Sequence, residues 1–189
     1  EEKIGNISYK TDIDTVQFDG VSNEVVYITM LPITTPFRAN LAVYNDTGNN
    51  IYEVTAADNG RTAIEMRLPK TGTYNLRLMD YYGTQTGTYS IAMSWMTPGR
   101  EPIASNPTMG WITNGEVKTG SLQYPADIEQ VRFDGKSNEV LYISMVPLTA
   151  AFRPFFCIYD TNGTQMTYSY ASGDGGLVRF GYRLPKDGP

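Results

Sequence analysis

The chain predicts an all-β fold: two tandem antiparallel β-sandwich domains of jelly-roll-like type. Three observations lead there. Residues 5–48 return at 120–163 at a constant offset of 115, with 21 of the 44 aligned positions identical. Met66-Arg67-Leu68-Pro69-Lys70 then returns as Tyr182-Arg183-Leu184-Pro185-Lys186 at offset 116. A copy this long is a whole domain, since solenoid units repeat every ~20–50 residues. Second, the chain is 41% hydrophobic and 19% charged, which makes it globular, and its 14 Tyr and 7 Phe suit a pleated, half-buried surface. Third, its apolar runs are short, carry no helical period and are separated by Gly and Pro.

The elements follow in order. Thr15-Val16-Gln17-Phe18 alternates polar and apolar, and Asp19-Gly20 turns the chain. Val25 to Met30 is the longest candidate strand. Leu41-Ala42-Val43-Tyr44 follows and stops at Asn45-Asp46-Thr47-Gly48. Ala63 to Leu68 is closed by Pro69, and Thr73 to Leu78 and Thr88 to Trp95 complete the copy. Val26, Ile28 and Met30 match Leu141, Ile143 and Met145, so alternate positions assign the core face of this strand in both copies. Val25, Tyr27 and Thr29, with Val140, Tyr142 and Ser144, form the opposite, partly wet face. Trp111-Ile112-Thr113 and Glu116-Val117-Lys118 predict one or two further strands ahead of the second copy.

The domains predicted are residues 1–97 and 107–189, joined by a proline-stiffened linker at 98–106. The copies are cut at opposite ends. The first lacks a counterpart of the Trp111 to Thr119 lead-in. The second stops at Pro189, short of counterparts to Thr73 through Trp95. A sandwich without its last two strands exposes core and unpaired edges. The expectation is a window from a longer tandem array, or completion by a strand from a neighbouring molecule.

Charge and composition exclude several function classes. Net charge is −5 and no Lys/Arg cluster occurs, so the basic stripe that nucleic acid needs is missing. No stretch reaches the ~20 apolar residues of a membrane span. Glu1-Glu2-Lys3 is not a signal peptide. The single cysteine, Cys157, lies in the run Phe155-Phe156-Cys157-Ile158-Tyr159 and reads as a buried thiol. With no histidine, Ser-His-Asp, Cys-His and His-zinc designs are all unavailable. An enzyme would have to work with carboxylates, Tyr, Lys or a hard metal alone.

The second copy and its lead-in run from Glu101-Pro102 through Glu116-Val117-Lys118-Thr119-Gly120-Ser121-Leu122 to Asp127-Ile128-Glu129-Gln130-Val131-Arg132-Phe133. The first supplies Asp12-Ile13-Asp14-Thr15-Val16-Gln17-Phe18, Gly72-Thr73-Tyr74-Asn75-Leu76 and Gly87-Thr88-Tyr89-Ser90-Ile91. In order and spacing this resembles the bacterial pre-peptidase C-terminal domain. The resemblance implies a non-catalytic, secreted prokaryotic β-sandwich, in some members a binder of fibrous substrate and calcium. Carried over to matching positions, the calcium ligands would be Glu101, Asn106 and Asp127. The lead-in here reads Glu-Pro-Ile-Ala-Ser-Asn where the family has Glu-Pro-Asn-Asp. That leaves few carboxylates for the ~6–8 oxygens calcium takes. No other cofactor is expected.

Two sets of side chains stand out as candidates. Tyr81 and Tyr82 flank Gly83 in a predicted hairpin loop, and Tyr168 and Tyr170 share one strand face. Exposed tyrosines suit flat protein or sugar surfaces, and the alternative is ordinary packing. Asp12/Asp14 and Asp127/Glu129 read as turn-capping carboxylates rather than acid–base pairs. Phe37-Arg38 and Phe152-Arg153 recur, the Arg placed to stack on a neighbouring ring. The function expected is an extracellular or cell-surface accessory module that binds or spaces. Its partner would be an extracellular protein or polysaccharide surface. The alternative is a surface-layer or filament subunit that assembles with copies of itself by strand complementation.

Overall fold

The computed structural model describes residues 2–34, 37–57, 60–97, 110–123, 125–149 and 152–189. Among these are twelve strands and no helix. They are β1 (Glu2–Ile7), β2 (Ile13–Gly20), β3 (Val25–Pro32), β4 (Ala39–Tyr44), β5 (Asn50–Thr55), β6 (Thr62–Arg67), β7 (Gly72–Asp80) and β8 (Gly87–Trp95), then β9 (Val140–Met145), β10 (Phe155–Tyr159), β11 (Gln165–Tyr170) and β12 (Val178–Arg183). The chain divides into two compact units: Glu1–Met109 with Thr119–Gln130, and Gly110–Lys118 with Val131–Pro189. The predicted linker, 98–106, lies outside the described residues.

The first unit is built as a nest of antiparallel pairs. β1 pairs with β8, β2 with β7, β3 with β6 and β4 with β5. Cross-pairings of β3 with β8 and of β4 with β7 join these into two sheets, β1-β8-β3-β6 and β2-β7-β4-β5. That is jelly-roll order. One core lies between the sheets. Ile7, Val26, Ile28, Met30 and Ile64 come from one, Leu41, Val43, Tyr74, Leu76 and Leu78 from the other. The predicted core face of β3 is therefore correct. Phe18 stacks on Tyr74 at 5.3 Å and meets Trp95 edge-on at 5.9 Å.

The second unit holds the inner pairs of the same nest. β9 pairs with β12 as β3 does with β6, and β10 with β11 as β4 does with β5. Here Leu141, Ile143 and Met145 are half-buried and alternate with exposed Val140, Tyr142 and Ser144. The face assignment holds, with less cover than in the first unit.

The repeated residues make repeated bonds, which is why the copies remain alike. In the Asp-Gly-x-Ser-Asn-Glu turn, Glu24 accepts from the N–H of Val21 at 2.7 Å and Glu139 from that of Lys136 at 2.9 Å. Asn23 and Asn138 have φ of 71° and 69°, a left-handed conformation that Asn tolerates well. Their N–H groups donate to the carbonyls of Leu68 and Leu184, at 2.8 Å in each copy. Arg67 and Arg183 return a bond to the same Asn carbonyls at 2.7 Å. A terminal methyl of Leu68 or Leu184 lies where a Cβ on Gly20 or Gly135 would fall, so a larger residue there would have to displace that leucine.

Four expectations need correction. The outer face of β3 is drier than expected: Val25 and Thr29 are buried, and Tyr27 alone of the three is partly exposed. Thr29 donates to the carbonyl of Ala126 at 3.0 Å, and Gln130 donates to Ser94 and to the carbonyl of Trp95. Residues 119–130, the start of the second copy by sequence, thus group with the first unit and cover this face, where Ser90, Ala92 and Ser94 are small enough to admit them. Next, Trp111 makes only an isolated parallel bridge to Arg132, and residues 112–118 form a turn region closed by Glu116 on Thr113. Third, β1 and β5 are additional strands that short polar runs concealed. Last, Cys157 is half-buried rather than a core thiol. Its neighbour Ile158 faces inward, so strand alternation turns Cys157 outward, opposite Tyr168.

Candidate binding surfaces

The first surface is organised by a buried carboxylate. Asp80, at the end of β7, is 2% exposed. It accepts from the N–H groups of Arg38 at 3.0 Å, Thr84 at 2.9 Å and Gln85 at 3.1 Å. Gly83, at φ 63°, closes the turn by donating to the Asp80 carbonyl at 2.9 Å. The loop is thereby fixed with Tyr81 and Tyr82 outward, 50% and 60% exposed and edge-to-face at 5.1 Å. Arg38 lies over both rings, at 4.9 and 5.2 Å, and donates to the Tyr82 hydroxyl at 2.6 Å. Its Nε donates to the Ala56 carbonyl at 2.8 Å. The two tyrosines are brought together as expected, around an arginine. Asp80 escaped sequence reasoning, because nothing local marks a carboxylate that will be buried.

The second surface repeats the arginine and changes its rings. Arg153 donates from Nε to the Ala171 carbonyl at 2.8 Å, as Arg38 does to Ala56. It lies over Tyr170 at 5.7 Å. Tyr170 and Tyr168 are near-parallel at 6.4 Å, and Phe155 of β10 adjoins Tyr168 at 6.0 Å. All three rings are exposed. Tyr168 and Tyr170 thus share a face as predicted, and Phe155 joins them, which only the β10–β11 register reveals.

The carboxylates do other work. Asp12 accepts from the N–H of Ser8 at 2.7 Å, and Asp127 from that of Gln123 at 2.9 Å and of Ile128 at 2.8 Å, so both cap turns. Asp14 accepts from the buried Tyr89 hydroxyl at 2.6 Å. Glu129 is raised above the usual carboxylate range, first by burial and then by the charge of Asp127. Of the three positions carried over for calcium, Glu101 and Asn106 lie outside the described residues. Among the described residues no three His, Cys, Asp or Glu gather as a metal would require. A depression with about 20 Å³ of free space, lined by Phe133, Tyr159, Asp160, Met166, Leu184 and Lys186, is far below the ~300 Å³ of a small-molecule pocket.

Fold and surfaces together define a two-unit antiparallel β protein carrying arginine–tyrosine clusters on its exterior. No protein-family model matches the chain, and no curated protein does. Two solved structures are similar over 50% of it. One is the pre-peptidase C-terminal domain of a collagenase from Bacillus anthracis, at 18% identity and TM-score 0.40, with 88% of that chain covered. The other is PliG of Aeromonas hydrophila, a periplasmic inhibitor of g-type lysozyme, at 13% identity and TM-score 0.40, with 84% covered. At these values neither says what this chain binds. No helix among the described residues is long and apolar enough to cross a membrane.

Proposed function

We propose that this chain is a non-catalytic accessory module of an extracellular or cell-surface protein, which binds a macromolecular surface through its exposed tyrosines. The Arg38–Tyr81–Tyr82 cluster carries the reading. Two large rings are held outward on a loop that a buried carboxylate fixes, so little ordering entropy remains to be lost on binding. Tyr and Arg are the residues that dominate binding hot spots. Against a catalytic role stand the lack of histidine and the turn-capping use of Asp12 and Asp127.

Co-sedimentation with cell-wall preparations, insoluble polysaccharides and fibrous protein tests this. Changing both Tyr81 and Tyr82 to Ala is expected to weaken retention about tenfold or more without lowering the melting temperature appreciably. Undiminished retention would sink the role of this cluster. The module needs no cofactor: neither calcium nor EDTA should shift its melting temperature. A rise with calcium would instead support a site at Glu101, Asn106 and Asp127.

A second reading is favoured by one observation. Among the described residues β9 pairs only with β12 and β10 only with β11, whereas β3 and β4 each have two neighbours. Such edges accept added strands. In a surface-layer or filament subunit, a neighbouring copy would supply them. Light scattering at micromolar concentration separates the two, a monomer supporting the module and polymer growth the subunit.

A further inference from the structure

The second copy has exchanged a polar cluster for an aromatic one at three matched positions. In the first unit Asn40 of β4 donates to Glu53 and to Thr55 of β5, at 2.9 Å in each case. All three point away from the core, because Leu41 and Val54, which alternate with them, pack inward. At offset 115 the same positions are Phe155, Tyr168 and Tyr170. The register is preserved: Asn40 lies opposite Thr55, and Phe155 lies opposite Tyr170. A hydrogen-bonded, charged patch has become a row of three rings at 6.0 and 6.4 Å spacing, exposed by 40%, 53% and 57%. Cross-strand aromatic pairing would stabilise a sheet with the rings packed together. It does not require two of the three to remain more than half in solvent.

Resting on the accessory-module reading above, we propose that this outer face of the β10–β11 sheet is a docking platform for a neutral polysaccharide chain. Its three rings follow one another across two strands. Tyr168 and Tyr170 lie within 10° of parallel at 6.4 Å, and both stay more than half exposed, so apolar ring surface is open to the C–H faces of a sugar chain. The two tyrosine hydroxyls can donate to and accept from sugar hydroxyls, as amphipathic contact residues do. Charge selects the neutral class. The Glu53 carboxylate has no counterpart on this face, and Arg153, the cation beside it, already donates to Ala171 and lies over Tyr170. A chain of net charge −5 repels anionic polymers.

The duplication also supplies the test. The triple substitution Phe155→Asn, Tyr168→Glu, Tyr170→Thr writes the first unit's polar cluster into the second, in a strand pair of the same register. Wild-type full chain and this variant would be co-sedimented with cellulose and chitin, and with pectin as an anionic control. Expected is retention on a neutral polymer that persists in molar salt, reduced about tenfold or more in the variant. Should the triple variant unfold, the single Tyr168→Thr provides the same comparison with a smaller change. Equal retention by wild type and a folded variant overturns the proposal, as does retention on pectin alone or retention abolished by salt. Retention lost only with Tyr81 and Tyr82 changed would overturn the platform and leave the module reading standing. No retention on any surface would remove both.

Discussion

At the scale of single residues, Tyr89 shows how one side chain ties the first unit together. Its ring lies over Gly5, its partner across β1 and β8, and a Cβ on Gly5 would overlap that ring. Its hydroxyl donates to Asp14 at 2.6 Å. Burial first, and then the Asp14 hydrogen bond and charge, raise the phenol well above its ordinary range. The sign of the pH effect follows. Below ~10 the folded and unfolded phenols are both protonated, and this contribution is fully present. Above it the unfolded phenol ionises and the folded one does not, so stability falls as pH rises. Tyr89→Phe loses the hydrogen bond, about 1 kcal/mol at neutral pH, and escapes the alkaline loss. Urea midpoints at pH 7, 9 and 11 should show the gap between wild type and variant narrowing. A constant gap would refute the assignment. Asp160 presents the opposite case. Burial opposes its ionisation, but the Lys186 hydrogen bond and the N–H groups of Thr164 and Asn162 outweigh it and lower the carboxyl.

At the scale of elements, the nested pairing explains which strands form firmly. The inner hairpin-like pairs β4·β5 and β10·β11 join segments close in sequence, whereas β1·β8 joins segments far apart. In the second copy only the inner pairs are present among the described residues. The segment matching β2 makes only isolated bridges there, at Arg132 and Gly135. The loop after β7 shows how an element end makes a surface. Asp80, itself buried, accepts from three backbone donors and so ties the start of β4 to the loop. Asp80→Ala should therefore destabilise the first unit by about 2–4 kcal/mol and weaken any binding through Tyr81 and Tyr82. Asp80→Asn, which keeps an acceptor, should cost less. Thermal denaturation of the two variants checks the order, and equal effects would show that the acceptor is not what matters.

At the scale of the molecule, the two units have unequal cover: the core cluster of buried side chains lies in the first, whereas the second buries Ile158, Val178 and Leu184. Leu78 is fully buried in the first, and Leu184 is 4% exposed in the second. Calorimetry should resolve two transitions. Leu78→Ala and Leu184→Ala should each cost about 2–5 kcal/mol and each move a different transition. If either variant moved both together, the units would unfold as one. The unequal cover also places the two tyrosine clusters differently. Tyr81 and Tyr82 belong to a loop of a full double-sheet sandwich, whereas Tyr168 and Tyr170 stand on a two-stranded sheet.

The sequence by itself determined the duplication, the all-β class, the core face of β3 and the pairing of Tyr81 with Tyr82 and of Tyr168 with Tyr170. Each of these follows from periodicity or neighbourhood along the chain. The tertiary structure decided what joins distant segments. It set Arg38 over a loop more than forty residues away, buried Asp80 beneath that loop, placed Phe155 beside Tyr168, and laid residues 119–130 over the outer face of β3. Strand alternation is local and can be read from one segment. Register, cover and charge burial depend on which other segment arrives, and no single segment carries that information.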